Sequence, residues 1–243
     1  GGDLTNIDVA LKDIDARLSV VCETEEVKIK DAYNRIAAEN VVSKNNVPPN
    51  NNAAVDGYVV RFDDLNIEGE TRLPVTARVT AGHPKIGKIG ESEAVRIFTG
   101  APIPQGFGSE LDTVFMDEDC KLEDGFVILP PGLKRGSNRR LMGEDIKCGE
   151  TIISKGGSLR SQDVALIASI GQDTVTVYKP LRVAVFSSGD EVYDPNQQLP
   201  NGCIFDANRF AIIGLLSSLN CEVTDLGILP DKKDVIADSL VSV

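Results

Sequence analysis

Apolar positions follow three kinds of pattern along the chain. Ile7, Ala10, Leu11, Ile14 and Leu18 recur three or four residues apart, which predicts an amphipathic helix with Thr5 as its N-cap. A second helix is predicted over 31–39. The run Asn45-Asn46-Val47-Pro48-Pro49-Asn50-Asn51-Asn52 cannot be a regular element, because proline fixes the backbone and asparagine favours turns. From 55 to 129 short apolar runs alternate with Gly and Pro. The clearest strands fall at 73–79, 94–98, 113–116 and 126–129. Ser161 is read as the cap of a short helix through Ala168, closed by Gly171.

The last part reads differently. An apolar strand at 181–186 precedes a helix at 207–219, with Phe210, Ile213, Leu216 and Leu219 expected to face inward. A strand at 221–226 and a helix from Lys233 to Leu240 follow. This βαβα order implies a parallel α/β sheet. The expected fold is therefore multidomain, α+β and α/β. A small β-rich domain (51–139) is inserted in an N-terminal mixed region (3–50 and 140–178). A parallel α/β domain (179–243) follows, expected to be truncated because two strands and two helices cannot close such a sheet.

Composition narrows the function classes. Hydrophobic residues make up 42% and aromatics 5%, so the cores must be aliphatic. No apolar run approaches the length of a bilayer span, so no membrane partner is expected. The net charge of −12 repels polyanions and argues against nucleic acid. The five cysteines are scattered without a CxxC pair, which fits reduced thiols in a cytoplasmic protein rather than a zinc site. The single histidine, His83, lies in Ala81-Gly82-His83-Pro84 and is read as a solvated turn residue.

Four stretches carry candidate chemistry. Ala54-Val55-Asp56-Gly57-Tyr58 places a carboxylate beside a glycine, although taken alone it reads better as an ordinary Asp-Gly turn. Phe98-Thr99-Gly100-Ala101-Pro102-Ile103-Pro104 leaves a strand into a rigid loop, with a hydroxyl able to meet an anion. Gly136 to Asp145 joins Arg139 and Arg140 to Glu144 and Asp145, a pairing suited to phosphate and magnesium or to a solvated charged turn. Ser187-Ser188-Gly189-Asp190-Glu191 stands at the carboxyl end of a parallel strand, where open α/β sheets bind ligands.

Together and in this order, the four stretches resemble the molybdopterin molybdenumtransferase family, which includes the E domain of gephyrin. Asp206-Ala207-Asn208-Arg209 resembles a fifth family segment. The chain departs from the family pattern at Val55 and Ser188 and in the lengthened loop at Phe107 to Leu111. The resemblance implies an elongated homodimer whose cleft lies between the β-rich domain of one subunit and the molybdopterin-binding-like α/β domain of the other. It implies adenylylated molybdopterin and molybdate as small-molecule substrates, and magnesium. It also implies transient contact with other molybdenum cofactor enzymes. The family's site residues fall on Asp56, Thr99, Arg140, Asp145 and Glu191. Asp56, Asp145 and Glu191 would hold magnesium or position water, Thr99 would contact oxyanion oxygens, and Arg140 would offset anionic charge. Ser187, Ser188, Gly189 and Asp190 would line the molybdopterin site. The 243 residues alone are expected to be inactive. Two rivals are a non-catalytic scaffold of the same fold and a molybdopterin adenylyltransferase. The latter would not need the first 170 or so residues.

Overall fold

The computed structural model describes residues 5–85, 87–108 and 110–242. These form two compact units. One holds Asn40–Ile153 and Ala165–Gln172. The other holds the chain up to Glu39, Ser154–Val164 and the chain from Asp173 onward.

In the first of these, strands run in the order Thr113–Met116, Gly57–Val60, Ala94–Ile97, Thr71–Val79, Phe126–Leu129 and Lys121–Glu123. Neighbours are antiparallel except Thr71–Val79 and Ala94–Ile97, which are parallel. Alternation along each strand sends side chains to opposite faces. Val59, Val95, Ile97 and Val114 enter one core, and Tyr58, Val60, Ala94 and Phe115 enter another. That is why Gly57–Val60 is buried at every position and carries no charged residue. The strands expected at 113–116 and 126–129 match residue for residue, the one at 73–79 lies within Thr71–Val79, and the one at 94–98 runs one residue past Ala94–Ile97.

The Pro/Asn run works as a hydrogen-bond hub. Asn46 Oδ1 accepts the Cys148 N–H, and Asn51 Oδ1 accepts the Met142 N–H while its amide nitrogen donates to Glu110. Backbone bonds from Gly143 to Pro48 and from Asp145 to Val47 complete the attachment.

In the second unit Thr24–Lys28 pairs antiparallel with Thr174–Tyr178, burying Val175 and Val177. The expected parallel pair is present as Arg182–Ser188 with Glu222–Leu229. The helix Asn208–Ser218 lies between them in sequence, and Lys233–Val241 follows.

Four local expectations are corrected. The helix expected over 31–39 does not form. A 3-10 turn at Ile29–Asp31 leads to Asn34 in the left-handed region (φ 62), and the chain then pairs with 157–159. Tertiary pairing overrides the helical spacing there. The first helix, Ile7–Asp15, is capped by Asn6, whose side chain accepts the Asp8 N–H, and not by Thr5. Ser161 is the first residue of its helix, Ser161–Ser169, rather than its cap. The Arg160 carbonyl takes the Val164 N–H, and Asp163 reaches back to the Arg160 N–H. In Asn208–Ser218 the inward face is Arg209, Ile213 and Leu216, while Phe210 and Leu219 are exposed. Ion pairs hold Arg209 inward and rotate Phe210 out.

Candidate functional site

Asp56 and Thr99 lie 43 residues apart in sequence but touch. The reason is register. Gly57 pairs with Ile97 in an antiparallel ladder, so the residues just outside these strand ends meet. Thr99 donates its N–H to Asp56 Oδ1 at 2.8 Å and its hydroxyl to the same oxygen at 2.7 Å. A carboxylate only accepts, so the Thr99 proton must point at Asp56. The hydroxyl was expected to meet oxyanion oxygens, and here its proton is committed to the acid instead. The Thr99 amide, then its hydroxyl, then the charge of Arg96 hold the Asp56 carboxyl below the usual carboxylate range. Both residues are exposed, and Asp56 Oδ2 has no partner among the described residues.

Backbone geometry fixes this pair. Gly100, at φ 78, turns the chain after Thr99. The Gly100 N–H then donates to Ala53 O, and the Ala53 N–H donates to Ala101 O. The strand Asn52–Ala53 also pairs with Arg139–Arg140. The first three candidate stretches thus meet along one short strand.

Arg140 is occupied. Its Nε donates to Glu144 at 3.3 Å, and it pairs closely with Asp145. Asp145 and then Glu144 raise its pKa above the ordinary guanidinium value. Glu144 also accepts the Leu141 N–H, which closes the turn.

In the other unit Ser187 and Ser188 are still within the strand, paired with Ile228 and Leu229. Asp190 and Glu191 occupy the turn beyond Gly189, and both are exposed. Sequence reasoning missed the group that anchors this region. Arg209, with its side chain 4% exposed, donates to Asp206 at 2.8 Å and pairs closely with Asp194 and Asp225. Burial pushes the Asp206 carboxyl up, but bonds from the Arg209 side chain and amide and from Ser187 bring it below its ordinary value. A single arginine in the first turn of a helix reads as solvent-facing, so nothing in the pattern marked Arg209 as buried.

Among the described residues no three His, Cys, Asp or Glu side chains gather to hold a metal ion. Asp56 and Asp145 lie in one unit and Glu191 in the other. Magnesium commonly takes only one or two carboxylates plus substrate phosphates. The open Oδ2 of Asp56 fits that limited role, whereas Asp145 is shared with Arg140. His83 is exposed in a turn, as expected, and the five cysteines form no disulfide.

The chain belongs to the MoeA family: residues 5–171 match the MoeA N-terminal region (domain I and II). It is 38% identical over 231 residues to the molybdopterin molybdenumtransferase of Haemophilus influenzae, covering 95% of this chain and 56% of that one. It is 33% identical to the Nostoc protein of the same name, covering 90% of this chain and 50% of that one. The solved structure of the molybdopterin biosynthesis moeA protein from Pyrococcus horikoshii OT3 superposes with a TM-score of 0.88 at 30% identity. The match covers 99% of this chain and 64% of that chain. The chain spans about half the length of the curated relatives it matches. The resemblance read from the motifs is borne out.

Proposed function

We propose that the whole protein carrying this sequence is a molybdopterin molybdenumtransferase. It inserts molybdate into adenylylated molybdopterin and releases AMP. The observation that carries the reading is the Asp56–Thr99 pair, an exposed carboxylate with one oxygen fixed by two donors and the other open. A carboxyl held below its usual range stays ionised at neutral pH and is a weak base. Its task is therefore to orient a water or a cation, and Thr99 keeps it aimed. Magnesium, when bound with the substrate phosphate, would sit on Asp56 and offset charge there. Arg140, Glu144 and Asp145 form a closed ion-pair turn beside the strand that carries Ala53, with Asp145 and Arg140 assigned to the site edge. Ser187, Ser188, Gly189, Asp190 and Glu191 are assigned to the molybdopterin end of the substrate, as strand-end residues of a parallel pair.

We assign the protein to the cytoplasm as a homodimer with small-molecule substrates and transient contact with other molybdenum cofactor enzymes. No helix among the described residues is long and apolar enough to cross a membrane. The test is release of AMP from adenylylated molybdopterin by the whole protein. AMP release that depends on added molybdate supports the reading. Release that is indifferent to molybdate, or none at all, contradicts it.

A further inference from the structure

Arg78 and Arg96 are register partners in the parallel pair Thr71–Val79 and Ala94–Ile97. Like charges directly opposite each other on a sheet destabilise it. Here both guanidinium groups are gathered on one ring. Their central carbons lie 4.7 Å and 5.1 Å from the centre of Phe98, the residue before Thr99. Arg96 also lies over Tyr58 at 4.8 Å and donates to Asp117 at 2.8 Å. Arg78 is exposed and has no carboxylate partner among the described residues. A groove of about 640 Å³ opens beside Arg96, bordered by Tyr58, Asp117 and Cys120.

An anionic substrate approaching Asp56 meets a negative charge, so nearby cations must offset it. Arg140 is paired with Glu144 and Asp145. Arg96 gives both terminal nitrogens to Asp117 and adds its charge at Asp56, while Arg78 keeps its whole fork of donors open. Stacking on an aromatic ring holds a guanidinium in place while leaving its N–H groups free.

We propose that Arg78, beside Arg96 against Phe98, forms the docking point for a tetrahedral oxyanion at the strand end that leads to Thr99, with the Asp117-bound Arg96 contributing charge. Two ligands share that chemistry: the phosphate of the adenylyl group and molybdate. The choice of ligands rests on the proposed molybdenum transfer, but the site itself is read by anion binding without turnover. Isothermal titration of the purified protein with AMP, and separately with sodium molybdate, is the experiment. Arg78→Ala weakens binding about tenfold, the scale of one charge-assisted hydrogen bond. Phe98→Leu, which removes the stacking platform, weakens it in the same direction. Arg72→Ala, an arginine on the same strand stacked on Phe126 instead, leaves it unchanged. Weakening in the AMP arm assigns the phosphate, and weakening in the molybdate arm alone assigns the metal oxyanion. No binding by the unmodified protein, or equal binding by Arg78→Ala, overturns the proposal. A protein that binds these anions through Arg78 yet releases no AMP would retain this site and lose the proposed activity.

Discussion

The carbonyl oxygen of Phe115 lies 1.7 Å from where a Cβ on Gly57 would stand. Gly57 is therefore glycine for space, since it opens a strand clamped between Ile97 and Met116. Gly57→Ala must push the Thr113–Met116 strand away. We expect a loss of at least about 3 kcal/mol, beyond ordinary overpacking, because backbone cannot rotate aside. Urea unfolding of the β-rich unit measures it. A loss under 1 kcal/mol, within experimental error of an ordinary surface change, would mean that the ladder is looser than described.

Arg209→Gln should leave Asp206, 2% exposed, buried without its cation. Removing one partner of a buried ion pair costs about 3–5 kcal/mol. The sign with pH follows from linkage. In the unmodified protein Asp206 has a lowered pKa, so it contributes stability above its unfolded pKa and loses it as pH falls through the folded value. In the variant the guanidinium bond and charge are lost while the residue-209 amide and Ser187 remain, so burial weighs more heavily, the pKa moves up, and protonation relieves part of the penalty. The gap in melting temperature between the two proteins should be widest near neutral pH and narrow towards about pH 4. A gap independent of pH would show that Asp206 is not the group left stranded.

The Thr99 amide reports on Asp56 directly. Its proton shift should titrate with a midpoint below the usual aspartate value of about 3.9. Thr99→Val deletes the hydroxyl but keeps the N–H, so the midpoint should move up towards the ordinary value. An unchanged midpoint in the variant would show that the hydroxyl does not hold the acid.

How much of this was legible depended on which residues carry the signal. Strands such as Phe126–Leu129 are continuous apolar runs bounded by glycine and proline, here Gly125 and Pro130, and their bounds followed from that pattern. The pairing of Asp56 with Thr99 was not legible, because it depends on the Gly57–Ile97 register, which no local pattern encodes. The motifs marked both residues as candidates but did not show that they touch. Residues 31–39 misled because Asn34 takes a left-handed turn that helical spacing does not reveal. Arg209 was missed because an arginine on a helix ordinarily faces water. Its burial needs three aspartates brought from 194, 206 and 225.

The central claim is that Asp56 acts in the reaction and not merely in a turn. Asp56→Asn keeps the shape and the acceptor oxygen for the Thr99 N–H, so folding should survive. Loss of one electrostatic group that matters mainly in the transition state lowers turnover more than substrate affinity. The measurement is molybdate-dependent AMP release from adenylylated molybdopterin by the whole protein, with a melting curve alongside. The account predicts a fall of about tenfold to a thousandfold with an unchanged melting temperature. A variant that melts like the unmodified protein and releases AMP at the same rate would reduce Asp56 to a turn residue and contradict the site.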